Sequence, residues 1–94
     1  MQKIPTNIHH LFWDINIETF EPHDYPRYTI SRVLEFGDEA ATRWLKEVFS
    51  ESEIKSVLRA DNRLSPRSAN FWAIMFGIPL NEIAALKSNE GSAV

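Results

Sequence analysis

Basic side chains recur at intervals of four residues in the second half of the sequence, at Lys55, Arg59, Arg63 and Arg67. Helical spacing places the first two on one face of a helix. The last two flank a turn and the first residues of the next helix. Basic residues arranged around a helix–turn–helix can bind DNA phosphates, so this spacing predicts a DNA contact.

The helix after this turn would begin with Arg67, Ser68 and Asn70, whose side chains could reach base edges. Two features weaken that interpretation. Residues 66–76 are too apolar to present a solvated face along a whole helix, and residues 61–65 lack the glycine often found in such turns. The alternative is an ordinary solvated face, on which the arginines pair with acids of the first half of the chain.

The histidines and carboxylates do not form a pattern that metal or acid–base chemistry requires. His9 and His10 are adjacent, so they point to different sides of a helix, and His23 is expected in a loop. Gly37 and Gly77 stand at predicted helix ends, not in a phosphate-binding loop, and no serine stands in a nucleophile elbow. The sequence therefore predicts no metal, no cofactor and no enzyme activity.

Aromatic residues are numerous, with three tryptophans in 94 residues. We expect Trp44, Phe71 and Phe76 to lie in the core. Trp13 and Trp72 are candidate anchors for a protein interface, where large amphipathic rings are favoured. A small domain with more aromatic surface than it can bury is expected to bind a protein partner or to form a homodimer.

Helix signals follow one another along the chain at short intervals. Apolar spacing predicts a short helix that ends near residue 12. Asp24 precedes the start of a longer helix, Gly37 is expected to end it in the left-handed conformation, and Asp38 caps the next one. Residues 13–18 alternate apolar and polar, but no second segment exists to pair with them, so we expect an irregular arm or a short helical turn.

Two further start signals lie in the second half. Residues 50–53 form a capping box, and Ser65 with Pro66 opens a helix. Because residues 69–76 are apolar on nearly every side, we expect this helix to be central and covered by its neighbours. Pro79 begins a last short helix that ends at residue 86.

These signals predict an all-α fold: a compact bundle of about five short helices with a helix–turn–helix-like second half. We expect one domain over residues 1–87 and a flexible tail at 88–94, which lacks core residues. The chain is 44% hydrophobic and has no cysteine, which excludes a disulfide scaffold and thiolate metal sites. A chain this short also excludes the large nucleotide-binding and barrel enzymes.

The charge is unevenly distributed. Residues 1–53 hold ten acidic and five basic side chains, whereas residues 54–94 hold three acidic and five basic ones. The net charge of −3 makes the whole chain a poor nonspecific binder of polyanions. No apolar run approaches the roughly 20 residues that span a bilayer, and the first thirty residues show no secretory signal. We therefore expect no membrane contact and a cytoplasmic location.

Several stretches are similar to a group of small uncharacterised bacterial proteins. The most specific is Leu-Ser-Pro-x-x-Ala-Asn-Phe-Trp at residues 64–72, and the resemblance covers residues 11–86. Members of this group are often encoded beside nucleotidyltransferases of the abortive-infection toxin type. The resemblance implies an antitoxin-like role and offers no catalytic residues.

The first hypothesis is therefore a non-enzymatic interaction module, an antitoxin-like partner of a nucleotidyltransferase toxin. Arg59, Arg63 and Arg67 would face the acidic metal-binding residues of the toxin, while Trp72 or Trp13 anchors the complex. The second hypothesis is a helix–turn–helix transcriptional regulator that binds DNA. The two can coexist, because an antitoxin can also repress its own operon.

Overall fold

The computed structural model describes residues 4–86 of the chain. Over these residues the backbone is helical and contains no strand, which confirms the predicted all-α class. Four α-helices and three short 3-10 helices (η) lie completely within this range. In chain order they are η1 Thr6–Phe12, η2 Pro22–Asp24, α1 Pro26–Phe36, α2 Glu39–Val48, α3 Glu51–Ala60, α4 Pro66–Phe76 and η3 Leu80–Glu82.

The chain forms two compact units, Met1–Ser50 and Glu51–Val94. The first contains η1, η2, α1 and α2, and the second contains α3, α4 and η3. The assignment of residues 1–87 to one domain stays a prediction. The tail predicted at 88–94 lies outside the described residues.

The core of the first unit is built around α1, which packs against η1, η2 and α2. Phe12 is nearly inaccessible, and its ring contacts those of Phe20, Tyr28 and Trp44 at centroid distances of 5.9, 6.1 and 6.5 Å. The core prediction for Trp44 is confirmed. The other large side chains buried in this unit include Ile8, Leu11, Ile30, Val33, Leu34, Leu45 and Phe49.

The segment between η1 and η2 forms turns. This agrees with the predicted irregular arm. The Ile15 amide donates to the Phe12 carbonyl at 3.4 Å, and the Thr19 amide donates to the Asn16 carbonyl at 3.2 Å. Ile15 is half-buried whereas Trp13 is exposed. Alternation in the sequence therefore reflects an irregular arm and not a strand.

The junction between α1 and α2 differs from the prediction at one residue. Asp38 caps α2 as expected, because its Oδ1 accepts a hydrogen bond from the Ala41 amide at 3.0 Å. Gly37 ends α1, but its backbone is extended (φ −78°, ψ 160°) and not left-handed. A Cβ at Gly37 would lie 2.6 Å from the Val33 carbonyl oxygen and 3.1 Å from the Ala41 Cβ. Close packing, and not backbone conformation, requires glycine there.

The second unit shows the predicted helix–turn–helix-like succession of α3, a turn at 61–65, and α4. Ser65 caps α4 by accepting from the Ser68 amide at 3.2 Å. At the other end Gly77 is left-handed (φ 67°), and the Ile78 amide donates to the Ala73 carbonyl at 2.8 Å. These two bonds satisfy backbone groups that a helix end leaves unpaired.

The prediction that α4 is a central, covered helix is wrong. Its buried residues are Ala69 and Ala73, whereas Phe71, Ile74 and Met75 are 52%, 66% and 63% exposed. The core prediction for Phe71 is wrong, and Phe76 is half-buried. A helix packed through alanines brings its backbone close to its neighbours, so the large side chains are left on the outer face.

Candidate functional site

The outer face of α4 carries a continuous apolar patch. Phe71, Ile74 and Met75, which we call the α4 stripe, are spaced at i, i+3 and i+4, so they line one side of the helix. Leu80 of η3, a few residues beyond the helix end, is also exposed. Single exposed apolar side chains are ordinary, but a cluster of large ones is typical of an interaction surface.

Trp72 lies beside this patch and packs against two other aromatic rings of α4. It is half-buried, and its ring meets that of Phe71 edge-on at 4.9 Å and that of Phe76 at 5.9 Å with an interplanar angle of 30°. The predicted anchor therefore holds Phe71 in place. Truncation of Trp72 would disturb the position of Phe71 as well as remove surface.

Three of the four regularly spaced basic residues have ion-pair partners. Their nitrogen–oxygen distances are 3.1 Å for Lys55–Glu51, 3.2 Å for Arg59–Glu82 and 3.5 Å for Arg63–Asp61. The predicted pairing with acids of the first half of the chain is wrong for Arg59 and Arg63. Pairing with local acids lowers the positive potential that these residues could offer to phosphates or to a partner's carboxylates.

The remaining candidates lie at the start of α4. Arg67 and Asn70 are exposed, and Arg67 has no ion-pair partner within residues 4–86. With Phe71 and Ile74, they continue the same side of the helix at three- and four-residue spacing. Ser68 is half-buried at the helix cap, where its amide donates to Ser65. The outer side of α4 thus has a polar first turn, with one unpaired cation, followed by the apolar stripe.

The predicted anchor Trp13 belongs to the first unit, where it takes part in a second cluster. The Arg32 guanidinium carbon lies 4.3 Å from the centroid of the Trp13 ring and 4.7 Å from that of Tyr28. Nη2 of Arg32 donates to Oδ2 of Asp14 at 2.9 Å. Phe36 meets Trp13 edge-on at 5.7 Å. We call these five residues the Arg32 cluster.

The polar atoms of this cluster are mutually dependent. The Tyr28 hydroxyl donates to Asp14, and this bond is the largest cause that holds the pKa of Asp14 below its ordinary value. Burial, followed by the bond to Asp14, raises the pKa of Tyr28 to about 12. Arg32 Nη1 is buried without a hydrogen-bond acceptor among the described residues, because the two rings cover the guanidinium.

Sequence reasoning identified Trp13 but missed Arg32, Tyr28 and Asp14. One signal was present: Tyr28 and Arg32 are four residues apart in a predicted helix, which puts a ring and a guanidinium side by side. Asp14 comes from the irregular arm, whose path the sequence pattern does not determine. The cluster therefore depends on a tertiary contact that spacing alone does not reveal.

Two of the three histidines, His9 and His23, have structural partners. Nε2 of His9 lies 2.7 Å from the Ile4 carbonyl oxygen. His23 lies between Glu21 and the Val48 carbonyl, at 3.1 and 3.0 Å, and its ring contacts Phe49. Within residues 4–86 no three His, Asp or Glu side chains are grouped so that they could hold a metal ion. Over the same residues no helix has both the length and the apolar character to cross a membrane.

The chain matches the profile of a protein family. The profile of DUF6922, described as a family of unknown function, matches residues 8–58. No curated protein and no solved structure matches the chain. The matched stretch contains the whole Arg32 cluster and ends before α4. Similarity to an uncharacterised family is thereby confirmed, whereas the motif at 64–72 and the toxin association stay predictions.

Proposed function

The chain belongs to DUF6922, a family of unknown function, and on that premise we propose that it is a non-enzymatic protein–protein interaction module. The observation that carries the proposal is the exposure of Phe71, Ile74 and Met75 on one side of α4. Water contact with three large apolar side chains is unfavourable. Because each is already partly buried, its coverage by a partner contributes less than the roughly 1.5–3 kcal/mol of a fully exposed side chain.

The shape of the surface selects the kind of partner. Anchors at i, i+3 and i+4 on a helix are the pattern by which a helix binds a hydrophobic groove. Arg67 lies on the same side, toward the first turn of α4, and would pair with an acidic group at the end of that groove. We therefore propose a partner whose apolar groove is bordered by a carboxylate at one end.

The more specific proposal is an antitoxin-like role toward a nucleotidyltransferase, as the sequence resemblance implies. The catalytic carboxylates of such an enzyme would supply the acid for Arg67. Arg59 and Arg63 would first have to leave Glu82 and Asp61, so Arg67 is the stronger candidate. The exposed ring of Trp13 offers a further contact from the first unit. A cytoplasmic location belongs to this proposal.

The test is complex formation between the full chain and the product of the adjacent gene, followed by size-exclusion chromatography. The wild-type chain should co-elute with that product. Ile74→Glu places a charge in the α4 stripe and should abolish co-elution. Ser56→Glu adds the same charge on the exposed side of α3 and serves as the matched control. Absence of a complex with the wild-type chain would overturn the antitoxin role, and equal binding by Ile74→Glu would overturn the role of the stripe.

DNA binding is the second candidate, supported by the exposed Arg67 and Asn70 at the start of α4. The apolar stripe occupies the rest of that side, and three basic residues are already paired. A DNA-binding chain should show an affinity that falls steeply with salt. Arg67→Ala should then weaken binding to every duplex tested. Binding that is insensitive to salt or to Arg67→Ala contradicts this candidate.

A further inference from the structure

A groove lies on the first unit, next to the Arg32 cluster. Its volume is about 480 Å³, and it is lined by Ile15, Asn16, Thr19, Phe20, Tyr25 and Tyr28. Sites that bind small ligands have volumes of roughly 300–1,000 Å³. The groove is therefore large enough for one extended side chain with its flanking backbone.

Three aromatic rings form its apolar wall. Phe20 and Tyr25 are stacked at a centroid distance of 5.6 Å with an interplanar angle of 15°, and Tyr28 meets Phe20 edge-on at 5.8 Å. Phe20 is buried whereas Tyr25 is exposed, so the stack begins in the core and ends at solvent. Aromatic faces carry a partial negative charge and attract cations.

The polypeptide that builds the groove is acidic. Residues 15–28, which contain its lining, hold three acids, Glu18, Glu21 and Asp24, and one base, Arg27. Glu18 and Asp24 are exposed and directly precede Thr19 and Tyr25 of the groove wall, and Asp14 is bonded to Tyr28. Neither Glu18 nor Asp24 has an ion-pair partner within residues 4–86. Aromatic faces together with carboxylates are complementary to a cation.

The neighbouring cluster shows which cation suits this surface. Arg32 lies against Tyr28 and Trp13 and is bonded to Asp14, so this unit already combines a guanidinium with rings and a carboxylate. We propose that the groove binds the side chain of an arginine in an extended segment of a partner protein. Arginine suits it better than lysine, because the planar guanidinium stacks on rings while it donates to carboxylates. No residue of the groove belongs to the α4 stripe, so the inference does not depend on the proposed function.

The experiment is a titration of the isotope-labelled full chain, followed by two-dimensional NMR. The probes are the blocked peptide acetyl-Gly-Arg-Gly-amide and the same peptide with citrulline, which has nearly the same shape and no charge. We expect the shift changes to concentrate at residues 15–28. The citrulline peptide should bind about fivefold more weakly, the size of one exposed cation–π contact. Equal affinity for both peptides, or shift changes elsewhere, would overturn the proposal.

Variants of Tyr25 and Glu18 distinguish the contribution of the aromatic ring to binding from that of the carboxylate charge. Tyr25→Ala should weaken the arginine peptide by about two- to fivefold, whereas Tyr25→Phe should retain binding. Glu18→Gln should weaken it by about twofold. Glu47→Gln removes an exposed acid from α2 and should change nothing. Unchanged affinity in Tyr25→Ala, or equal losses in Glu18→Gln and Glu47→Gln, would show that the groove is not the site.

Discussion

The hydroxyl of Tyr28 donates a hydrogen bond to Oδ1 of Asp14 at 2.5 Å, which ties helix α1 to the irregular arm fourteen residues earlier in the chain. The same carboxylate accepts from Arg32 through its other oxygen. Because all three side chains are held together, the arm has a defined position although it lacks regular secondary structure. This bond gives the first unit its clearest pH dependence.

Alkaline pH should weaken the first unit through Tyr28. Its pKa is raised from about 10 when unfolded to about 12 when folded, so the folded state favours the neutral phenol. The stability this provides is complete below pH 10 and is lost as the pH rises toward 12. Tyrosinate absorbance in Tyr25→Phe reports Tyr28 alone and should titrate near pH 12. A midpoint near pH 10 would contradict the hydrogen bond from Tyr28 to Asp14.

Acidic pH should weaken the first unit through Asp14, which accepts the hydrogen bond from Tyr28. The folded pKa of Asp14 is lowered, so its contribution is present above the unfolded value and is lost as the pH falls through the folded one. Tyr28→Phe removes the largest cause of this shift and should raise the pKa of Asp14 toward its ordinary value. Carboxyl NMR titration measures the change. An unchanged pKa of Asp14 in Tyr28→Phe would contradict this assignment.

Arg32→Lys should destabilise the first unit although the charge is kept. Lysine loses the planar stack on Trp13 and Tyr28, a loss of about 0.5–2 kcal/mol. The Arg32 side chain is only 15% exposed, so solvent compensates little. Urea unfolding measures the difference. Arg43→Lys in an exposed pair with Glu39 is the control and should change stability by less than about 0.5 kcal/mol.

The two glycines within residues 4–86 should respond differently to substitution. Gly37→Ala forces a Cβ against the Val33 carbonyl and should cost about 1–3 kcal/mol. Gly77→Ala meets open space but requires a left-handed residue, a cost of about 1–2 kcal/mol. Asparagine separates the two causes: it should partly restore position 77 and further destabilise position 37. Thermal unfolding of the four variants gives the comparison, and equal effects of asparagine would refute it.

Substitutions on the exposed and buried sides of α4 should differ in their effect on the free energy of unfolding. Ala73→Val adds volume on the packed side and should destabilise by about 1–3 kcal/mol. Ile74→Ser, one residue later on the exposed side, should change stability by less than about 0.5 kcal/mol. Circular dichroism with urea measures both. A large loss in Ile74→Ser would mean that the stripe is covered in solution.

Local signals predicted the helix ends well because capping is a local interaction. Asp38 and Ser65 each bond to an amide three residues later, and Gly77 adopts the left-handed conformation, as their positions in the sequence indicated. Gly37 shows where the same reasoning fails. Its reason is close contact with the Val33 carbonyl and with Ala41 of the next helix, and a sequence pattern does not report these distances.

The candidate surfaces were predicted less well, for a physical reason. The side of α4 that faces its neighbours is set by the small size of Ala69 and Ala73, whereas hydrophobicity alone favours burial of Phe71 and Ile74. Apolar residues all round the helix leave both orientations open. The Arg32 cluster was missed because Asp14 reaches it through the irregular arm, whose path depends on the fold.

The buried side chains of helix α4 are the two methyl groups of Ala69 and Ala73. The large exposed side chains on the opposite side, Phe71, Ile74 and Met75, therefore contribute little to the stability of the fold. Each can be exchanged in a single mutational step at little cost to folding. Lineages of this protein could therefore follow a changing partner by altering Phe71, Ile74 and Met75 while the scaffold beneath stays the same.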